Sequence, residues 1–265
     1  MTLNFSKYQG TGNDFILVDN RNLDITLSTE QVAKLCDRRF GIGADGLMEL
    51  RNEVGYDFKM VYYNSDGREG SMCGNGGRCI TRFALDLGIR KEEYSFIASD
   101  GPHRSWIDND NIVRLQMINV GAVENHYSYE LLNTGSPHVV KGVQDLRHYP
   151  VVEEGREIRN SNSFKKDGVN VNFVEPLSDD SIFVRTYERG VEDETFSCGT
   201  GVTAAALVNA HNDTGFNHVD VQTIGGQLFV EFDKTGEESF ENIWLCGPAK
   251  KVFEGTVTIK QLNKV

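Results

Sequence analysis

The chain has 265 residues, of which 39% are hydrophobic and 10% aromatic, enough for one large domain or two of ordinary size. Its 39 acidic residues outnumber its 27 lysines and arginines, and the net charge of -12 argues against nucleic acid and anionic membranes as partners. No signal peptide or membrane span is evident, which predicts a cytoplasmic protein. Five dispersed cysteines do not fit a disulfide framework, so we expect reduced thiols.

The first predicted helix begins near Ser28, where the sequence STEQ offers a Ser-x-x-Gln capping box. Val32, Leu35 and Cys36 follow at helical spacing, and Gly41 comes after the predicted end. Because Cys36 falls on the apolar face, we interpret it as a small buried hydrophobic residue and not as a reactive thiol.

Strands dominate the rest of the predicted structure. Seven stretches are rich in β-branched and aromatic residues and are separated by Gly, Asn and Asp, which is typical of short strands. They cover residues 56–63, 111–118, 169–174, 181–187, 219–223, 227–232 and 252–259. The sequence therefore predicts an α+β fold in which a few helices accompany many strands.

Two more helices are predicted directly after two similar sequences, MCGNGGRC at 72–79 and SCGTGVTAAA at 197–206. The segment after Cys73 presents one apolar face and ends near Gly88; the face consists of Ile80, Phe83, Ala84 and Leu87. The segment after Cys198 is small and apolar nearly all round, which is typical of a helix enclosed in a core.

Landmarks of the first half of the chain recur in the second half at a nearly constant offset. The matching pairs are Gly12 with Gly135 and Gly67 with Gly190, 123 residues apart, and Cys73 with Cys198 and Gly76 with Gly201, 125 residues apart. Chance matches among 27 glycines are the alternative, and the matched cysteines argue against it. We predict a degenerate internal duplication that forms two similar lobes, residues 1–117 and 118–252.

Each Cys-Gly-x-Gly sequence stands at the start of a predicted helix. Backbone N–H groups converge there with partial positive charge, and the glycines allow a close approach, so a carboxylate can bind. The same field favours a thiolate at the adjacent cysteine. If both helix starts face one cleft, Cys73 and Cys198 lie on opposite sides of a substrate. One can then remove a proton while the other returns one, which inverts a stereocentre.

Other uses of the two cysteines fit the sequence less well. A zinc site usually has Cys-x2–4-Cys pairs, whereas the only near pair is Cys73 and Cys79, so we predict no metal. A redox Cys-x-x-Cys motif is absent, and a cysteine hydrolase does not require a second matched cysteine. A disulfide between Cys73 and Cys198 remains open as the structural alternative.

Seven motifs together carry a resemblance to a known family: GTGNDF, GIGADGL, NSDGREGSMCGNGGRC, GSPH, VNVNFV, YERGVEDETFSCGTG and GPAKKVFEG. From near the N-terminus to about residue 255 the chain resembles the diaminopimelate epimerases. The resemblance implies a two-base reaction, without pyridoxal phosphate or another cofactor, that interconverts LL- and meso-2,6-diaminopimelate for lysine and peptidoglycan precursors. It implies two pseudo-symmetric α+β lobes, each a mixed sheet or barrel around a central helix, with the active site in the cleft and a C-terminal strand, 253–265, returning to the first lobe.

The resemblance also assigns roles to individual residues. It makes Cys73 and Cys198 the acid and base, with their protonation tuned by His138 and Glu188. The carboxylate at the reacting carbon would be held by backbone N–H groups of four residues, Gly74, Asn75, Gly199 and Thr200. The remaining substrate contacts would come from Asn13 and from a clamp on the distal amino acid formed by Asn64, Asn170, Glu188 and Arg189.

Two positions depart from the family pattern. Many members have Gly-Asn-Pro-His where this chain has Ser136 in GSPH, and some have a polar substrate contact at the position of Gly46. The sequence leaves open whether either region contacts substrate. It also leaves open whether the chain forms a homodimer.

Two alternative functions remain open. A proline or hydroxyproline epimerase has a related cysteine pair but more often reads Cys-Gly-His-Gly, where Asn75 stands here. A non-catalytic amino-acid-binding module is the second alternative, and the two matched cysteines argue against it.

Overall fold

The computed structural model describes residues 2–23, 25–70, 72–212 and 214–259. It has two compact units. The first unit is formed by the chain up to Val113 together with the chain from Pro248 onward, and the second unit is Arg114–Gly247. No helix in the described residues has the length and apolar character needed to cross a membrane.

The first unit consists of strands around one long helix, α2. Its elements, together with β7 at its boundary, are β1 Thr2–Gly10, β2 Asn13–Asp19, α1 Thr29–Cys36, β3 Gly46–Arg51, β4 Phe58–Asn64, α2 Gly74–Asp86, β5 Tyr94–Ala98, β6 Gly101–Ile107 and β7 Ile112–Gln116. From β1 to β6 the neighbouring strands pair in the order antiparallel, parallel, antiparallel, parallel, antiparallel. Helix α2 packs against β1, β2, β3 and β6.

The second unit repeats this plan around α4. Its elements are β8 Glu124–Asn125, β9 Glu130–Asn133, β10 Pro137–Gly142, a 3-10 turn Leu146–His148, α3 Val151–Arg159, β11 Asn170–Ser178, β12 Ser181–Glu188, β13 Asp193–Thr195, α4 Gly199–Val208, β14 Gly215–Thr223, β15 Gly226–Gly236 and β16 Ser239–Pro248. The pairings β9–β10, β10–β11, β11–β12, β12–β14 and β14–β15 follow the same alternating order as in the first unit. The predicted α+β fold of two similar strand-rich lobes is therefore confirmed.

A final strand, β17 (Lys250–Thr258), belongs to the first unit. It pairs antiparallel with β1, from Thr2 opposite Thr258 to Gln9 opposite Lys250. The part of the predicted returning segment beyond Ile259 lies outside the described residues. Strand β1 is thus paired on both sides, with β2 and with β17.

The predicted helices α1, α2 and α4 are present. Ser28 and Gln31 form both hydrogen bonds of the capping box on α1, and Cys36 is buried on the inner face of this helix. Burial raises the pKa of the Cys36 thiol to about 12, which agrees with an unreactive cysteine. In α4 nearly every residue is buried, so the apolar sequence after Cys198 forms a core helix.

Candidate active site

Cys73 and Cys198 occupy equivalent positions in the two units, each as the N-cap of the central helix. Both have extended backbones, with φ -106° at Cys73 and φ -110° at Cys198. Neither side chain caps its own helix, so each thiol is directed to other groups. The N–H groups of the first helical turn have no partners within a helix and are suited to bind an anion.

The second glycine of each Cys-Gly-x-Gly sequence lies close to a side chain of a neighbouring strand. A Cβ atom on Gly76 would lie 2.4 Å from Met48 Cε, and one on Gly201 would lie 2.2 Å from Asn172 Oδ1. Both glycines therefore let the first helical turn approach a strand of its own sheet, β3 in the first unit and β11 in the second.

In the first unit the thiol of Cys73 lies 3.5 Å from Asn13 Oδ1. The other atom of this amide, Asn13 Nδ2, donates to Asp45 Oδ2 at 2.7 Å. Because a carboxylate only accepts, this contact fixes the amide with Oδ1 facing Cys73. Asn75 Nδ2 donates to the same oxygen at 3.3 Å, so the predicted residues Asn13, Cys73 and Asn75 form one cluster.

Arg78, which the sequence analysis did not select, lies beneath this cluster and is fully buried. Its guanidinium donates to Asn75 Oδ1 at 3.0 Å, to Thr11 Oγ1 at 3.2 Å and to Gly74 O at 3.4 Å. These contacts fix the Asn75 side chain and place a positive charge below the first turn of α2. The arginine of CGNGGR was visible in the sequence, but the burial of its side chain was not.

Asp45 is itself held by a network of charges. Arg38 Nη2 contacts Asp45 Oδ1 at 2.6 Å and Asp14 Oδ1 at 2.7 Å, while Lys7 Nζ contacts Asp14 Oδ2 at 2.8 Å. Burial alone would raise the pKa of Asp14, but hydrogen bonds from Arg38 and Lys7 outweigh it and lower the pKa to about 2. Asp14 is therefore ionised at neutral pH.

In the second unit Cys198 Sγ lies 3.5 Å from Thr200 Oγ1, and that hydroxyl lies 2.9 Å from His138 Nε2. His138 is completely buried. Burial, aided by the positive charge of Arg189, lowers its pKa to about 3. The predicted residues Cys198, Thr200 and His138 are thus brought together, with the imidazole neutral.

Asn172 completes this group and was missed by the sequence analysis. Its Nδ2 lies 3.1 Å from His138 Nδ1 and donates to Val139 O at 2.9 Å, while its Oδ1 accepts from Thr186 Oγ1 at 2.9 Å. The motif VNVNFV contained the signal, because Asn170 and Asn172 are two residues apart in a strand and so share a face.

Two of the residues expected to clamp the distal end of the substrate, Asn170 and Arg189, lie together in the second unit. Asn170 Nδ2 donates to Ser136 Oγ at 3.0 Å, and Asn170 Oδ1 accepts from the Arg189 backbone N–H at 2.8 Å. Arg189 Nη2 also donates to Ser136 Oγ at 3.3 Å. Ser136, which the sequence left undecided, therefore contacts both Asn170 and Arg189.

Glu188 and Asn64 lie at the ends of strands. Glu188 is half-buried at the end of β12, directly before Arg189, and Asn64 is exposed at the end of β4, opposite Gly46 in the register. A Cβ on Gly46 would lie 2.5 Å from both Tyr62 Cε2 and Tyr63 O. The Tyr62 ring therefore leaves no room for a polar side chain at position 46.

Comparison with known proteins identifies the family. A model of the family described as "Diaminopimelate epimerase" matches residues 5–123 and 131–252. The chain belongs to the diaminopimelate epimerase family. A diaminopimelate epimerase from Flavobacterium psychrophilum is 51% identical over 253 residues, covering 95% of this chain and 98% of the relative. One from Chlorobaculum tepidum is 41% identical over 259 residues, covering 94% and 99%. As a member of this family the chain is an isomerase of the epimerase class.

Solved structures with low sequence identity share the fold. A Bacillus anthracis phenazine biosynthesis protein of the PhzF family has a TM-score of 0.79 at 15% identity, covering 98% of this chain and all of that chain. A probable proline racemase from Agrobacterium radiobacter has a TM-score of 0.72 at 14% identity, covering 98% and 94%. These similarities confirm the fold class and, at such identities, carry nothing about the substrate.

Proposed function

We propose that this enzyme interconverts LL- and meso-2,6-diaminopimelate by a two-base reaction in which Cys73 and Cys198 carry the protons. The observation that supports this function is the repeated placement of a cysteine at the N-cap of the central helix, once in each unit of a diaminopimelate epimerase. A single-base enzyme has no need of the second, equivalent cysteine.

The reaction begins with a thiolate on one cysteine and a thiol on the other. The thiolate removes the α-proton, and the electron pair left on carbon delocalises into the carboxylate, which the N–H groups of Gly74, Asn75, Gly199 and Thr200 stabilise. The second cysteine then gives its proton to the opposite face of the carbon. Afterwards the configuration is inverted and the two cysteines have exchanged protonation states, so the balance requires no cofactor.

In the proposed reaction the distal amino acid of the substrate would orient the reacting end. Arg189 would bind the distal carboxylate through its guanidinium, and Asn64, Asn170 and Glu188 would bind the remaining polar groups. Asn13 would contact the substrate beside Cys73, while His138 and Glu188 would tune the protonation of the cysteines. The contacts of Ser136 with Asn170 and Arg189 support adding it to this set.

The cellular setting is part of the same proposal. The acidic chain and its dependence on two reduced thiols favour a cytoplasmic enzyme that acts in the synthesis of lysine and of peptidoglycan precursors. The substrate is the only partner that the reaction needs. Sedimentation velocity measures whether the chain is also a homodimer.

Incubation with LL-diaminopimelate in deuterated water tests the function. We expect the meso form to appear with one deuterium at its inverted α-carbon, and Cys73→Ala and Cys198→Ala each to abolish epimerisation while the circular dichroism of the protein is unchanged. Cys36→Ala, which alters a buried thiol of α1, is the matched control and should remain active. Binding without deuterium incorporation would indicate a non-catalytic module, and turnover of proline or hydroxyproline instead would indicate the alternative epimerase.

A further inference from the structure

The amide of Asn172 has its orientation fixed by a backbone carbonyl. Val139 O lies 2.9 Å from one end of this amide, and because a carbonyl only accepts, that end is the NH2 group. The same NH2 group lies 3.1 Å from His138 Nδ1. Since an NH2 group only donates, Nδ1 must accept, and the single proton of the neutral ring is on Nε2.

The tautomer of His138 decides the direction of the next hydrogen bond. With its proton on Nε2, His138 donates to Thr200 Oγ1 at 2.9 Å. The hydroxyl hydrogen of Thr200 is then directed away from the ring, and Cys198 Sγ lies 3.5 Å from the oxygen. A hydrogen bond donated to sulfur stabilises the thiolate relative to the thiol.

The first unit has the opposite arrangement. Asn13 Oδ1 faces Cys73 and only accepts, so Cys73 donates to it, which stabilises the thiol. Met48 is the counterpart of Asn172, since Met48 faces Gly76 and is opposite Tyr62 in β4, whereas Asn172 faces Gly201 and is opposite Thr186 in β12. Because the Met48 side chain is apolar, the first unit has no equivalent of the hydrogen bonds that Asn172 makes.

We propose that Asn172, held by Thr186 and Val139, is a positioning residue that fixes the Nε2–H tautomer of His138 and thereby makes Cys198 the resting base and Cys73 the resting acid. This inference rests on the proposed function for its catalytic meaning, but the polarity of the hydrogen-bond chain is a property of the folded protein alone. Arg189 is the charge that acts on His138, and it opposes a second proton on the ring.

The tautomer can be measured directly on the wild-type enzyme. In protein labelled with 15N at its six histidines, the ring nitrogens of His138 should give the shifts of a protonated Nε2 and an unprotonated Nδ1 at pH 7.5. His138→Gln assigns the signals. A wild-type spectrum with the proton on Nδ1, or with both nitrogens protonated, would overturn the inference.

Variants connect the tautomer to the thiol. Asn172→Asp replaces the donor by an acceptor, so the proton of His138 should move to Nδ1 and Cys198 should lose the hydrogen bond from Thr200. At pH 7.5 we expect the rate of Cys198 alkylation by iodoacetamide, followed by peptide mapping in a Cys73→Ala background, to fall at least tenfold. In a separate Cys198→Ala background, Asn172→Asp should leave the alkylation rate of Cys73 unchanged.

Thr186 supplies a second test if Asn172→Asp does not fold. Thr186→Val removes the hydroxyl at nearly constant volume and should also slow Cys198 alkylation, whereas Thr186→Ser keeps the hydroxyl and should behave as wild type.

In the diaminopimelate assay Asn172→Asp should lower kcat and change KM less than twofold. Unchanged Cys198 reactivity despite an altered tautomer would refute the relay. Failure of the substrate assay with the predicted tautomer and reactivity would refute only the proposed function.

Discussion

Arg189 has the exposure and the contacts expected if it binds the distal carboxylate of the substrate, as proposed. Its terminal nitrogens donate to Asp167 O at 3.0 Å and to Ser136 Oγ at 3.3 Å, which holds the guanidinium beside Asn170 while the side chain remains exposed. Only neutral oxygens occupy these two contacts. A carboxylate can therefore replace them with charge-assisted, two-pronged hydrogen bonds.

Arg189→Lys should lower kcat/KM for diaminopimelate, with a loss of about 1.5–3 kcal/mol of transition-state binding. An ammonium group cannot reproduce the forked contact of the guanidinium. Steady-state kinetics measure this change. Arg159→Lys is the matched control, since Arg159 also lies beside Gly168 but pairs with Glu192 instead. Turnover of lysine comparable to that of diaminopimelate would show that this clamp is misassigned.

The two N-terminal turns give a matched pair of glycine substitutions. Gly201→Ala places a methyl group 2.2 Å from the oxygen of the fully hydrogen-bonded Asn172 amide, whereas Gly76→Ala meets the flexible end of Met48 at 2.4 Å. We expect Gly201→Ala to lower the free energy of unfolding by about 1–3 kcal/mol more than Gly76→Ala. Urea denaturation measures both, and equal losses would mean that Asn172 is free to move.

At this scale the sequence predicted the residues whose signal is local. Cys73 and Cys198 stand in short, repeated motifs, and Asn75 and Thr200 follow within two positions. Asn172 was not predicted because its contact with His138 joins residues 34 positions apart in the chain. The parallel pairing of β10 and β11 brings the two residues together. Arg78 escaped because a charged residue is normally expected at the surface, and only the fold supplies its buried acceptors.

Helix α1 tests how much a single local motif contributes. Ser28→Ala removes the hydroxyl that accepts from the Gln31 backbone N–H and should lower stability by about 1 kcal/mol. Ser28 lies outside the proposed catalytic clusters, so kcat and KM should remain as in the wild type. Thermal denaturation with parallel assays measures the two effects, and a variant as stable as the wild type would mean that the cap does not limit helix stability.

Elements were predicted where propensity and packing agree and missed where they conflict. Helix α3 contains Gly155 in its interior, which lowers its intrinsic helix propensity. The glycine is needed because a Cβ there would lie 2.4 Å from Tyr187 Cβ. Strand β3 was missed because the buried Glu49 breaks the apolar pattern, and its Oε2 accepts hydrogen bonds from Arg51 and Asn20 that the sequence does not reveal.

For the whole molecule, the buried neutral His138 predicts a loss of stability in mild acid. Its pKa is lowered from 6.5 to about 3 by folding, so between these values the unfolded chain binds a proton that the folded chain does not. The free energy of unfolding should therefore fall as the pH drops below 6.5, by at most about 1.4 kcal/mol per pH unit from this residue. Asp14, whose pKa is lowered from 3.8 to about 2, adds to the loss only below pH 3.8.

Urea denaturation between pH 7 and pH 4 measures this effect. His138→Gln should flatten the decrease in stability, whatever its own stability at pH 7. His148→Gln, at an exposed histidine beside Asp145, is the control and should keep the wild-type slope. Parallel slopes for wild type and His138→Gln would contradict a buried neutral imidazole.

The duplication was the most predictable feature of the molecule, because matched glycines and cysteines keep their order in both halves. The partner of each strand was less predictable. Nothing in the composition of residues 252–259 indicates that β17 pairs with β1, about 250 residues earlier in the chain. Pattern reveals that a strand exists, while its neighbour is chosen by the packing of the complete sheet.

The return of β17 to β1 sets the order in which the chain can mature on the ribosome. The second unit is one continuous stretch and has all its strands before Lys250 is made, whereas the first unit lacks a partner for one side of β1 until β17 emerges. During translation the N-terminal domain usually folds first. Here the first unit can complete its sheet only after the second unit has been synthesised. A released chain truncated just before β17 would therefore contain every strand of the second unit but leave one edge of β1 unpaired, and an exposed strand edge favours aggregation.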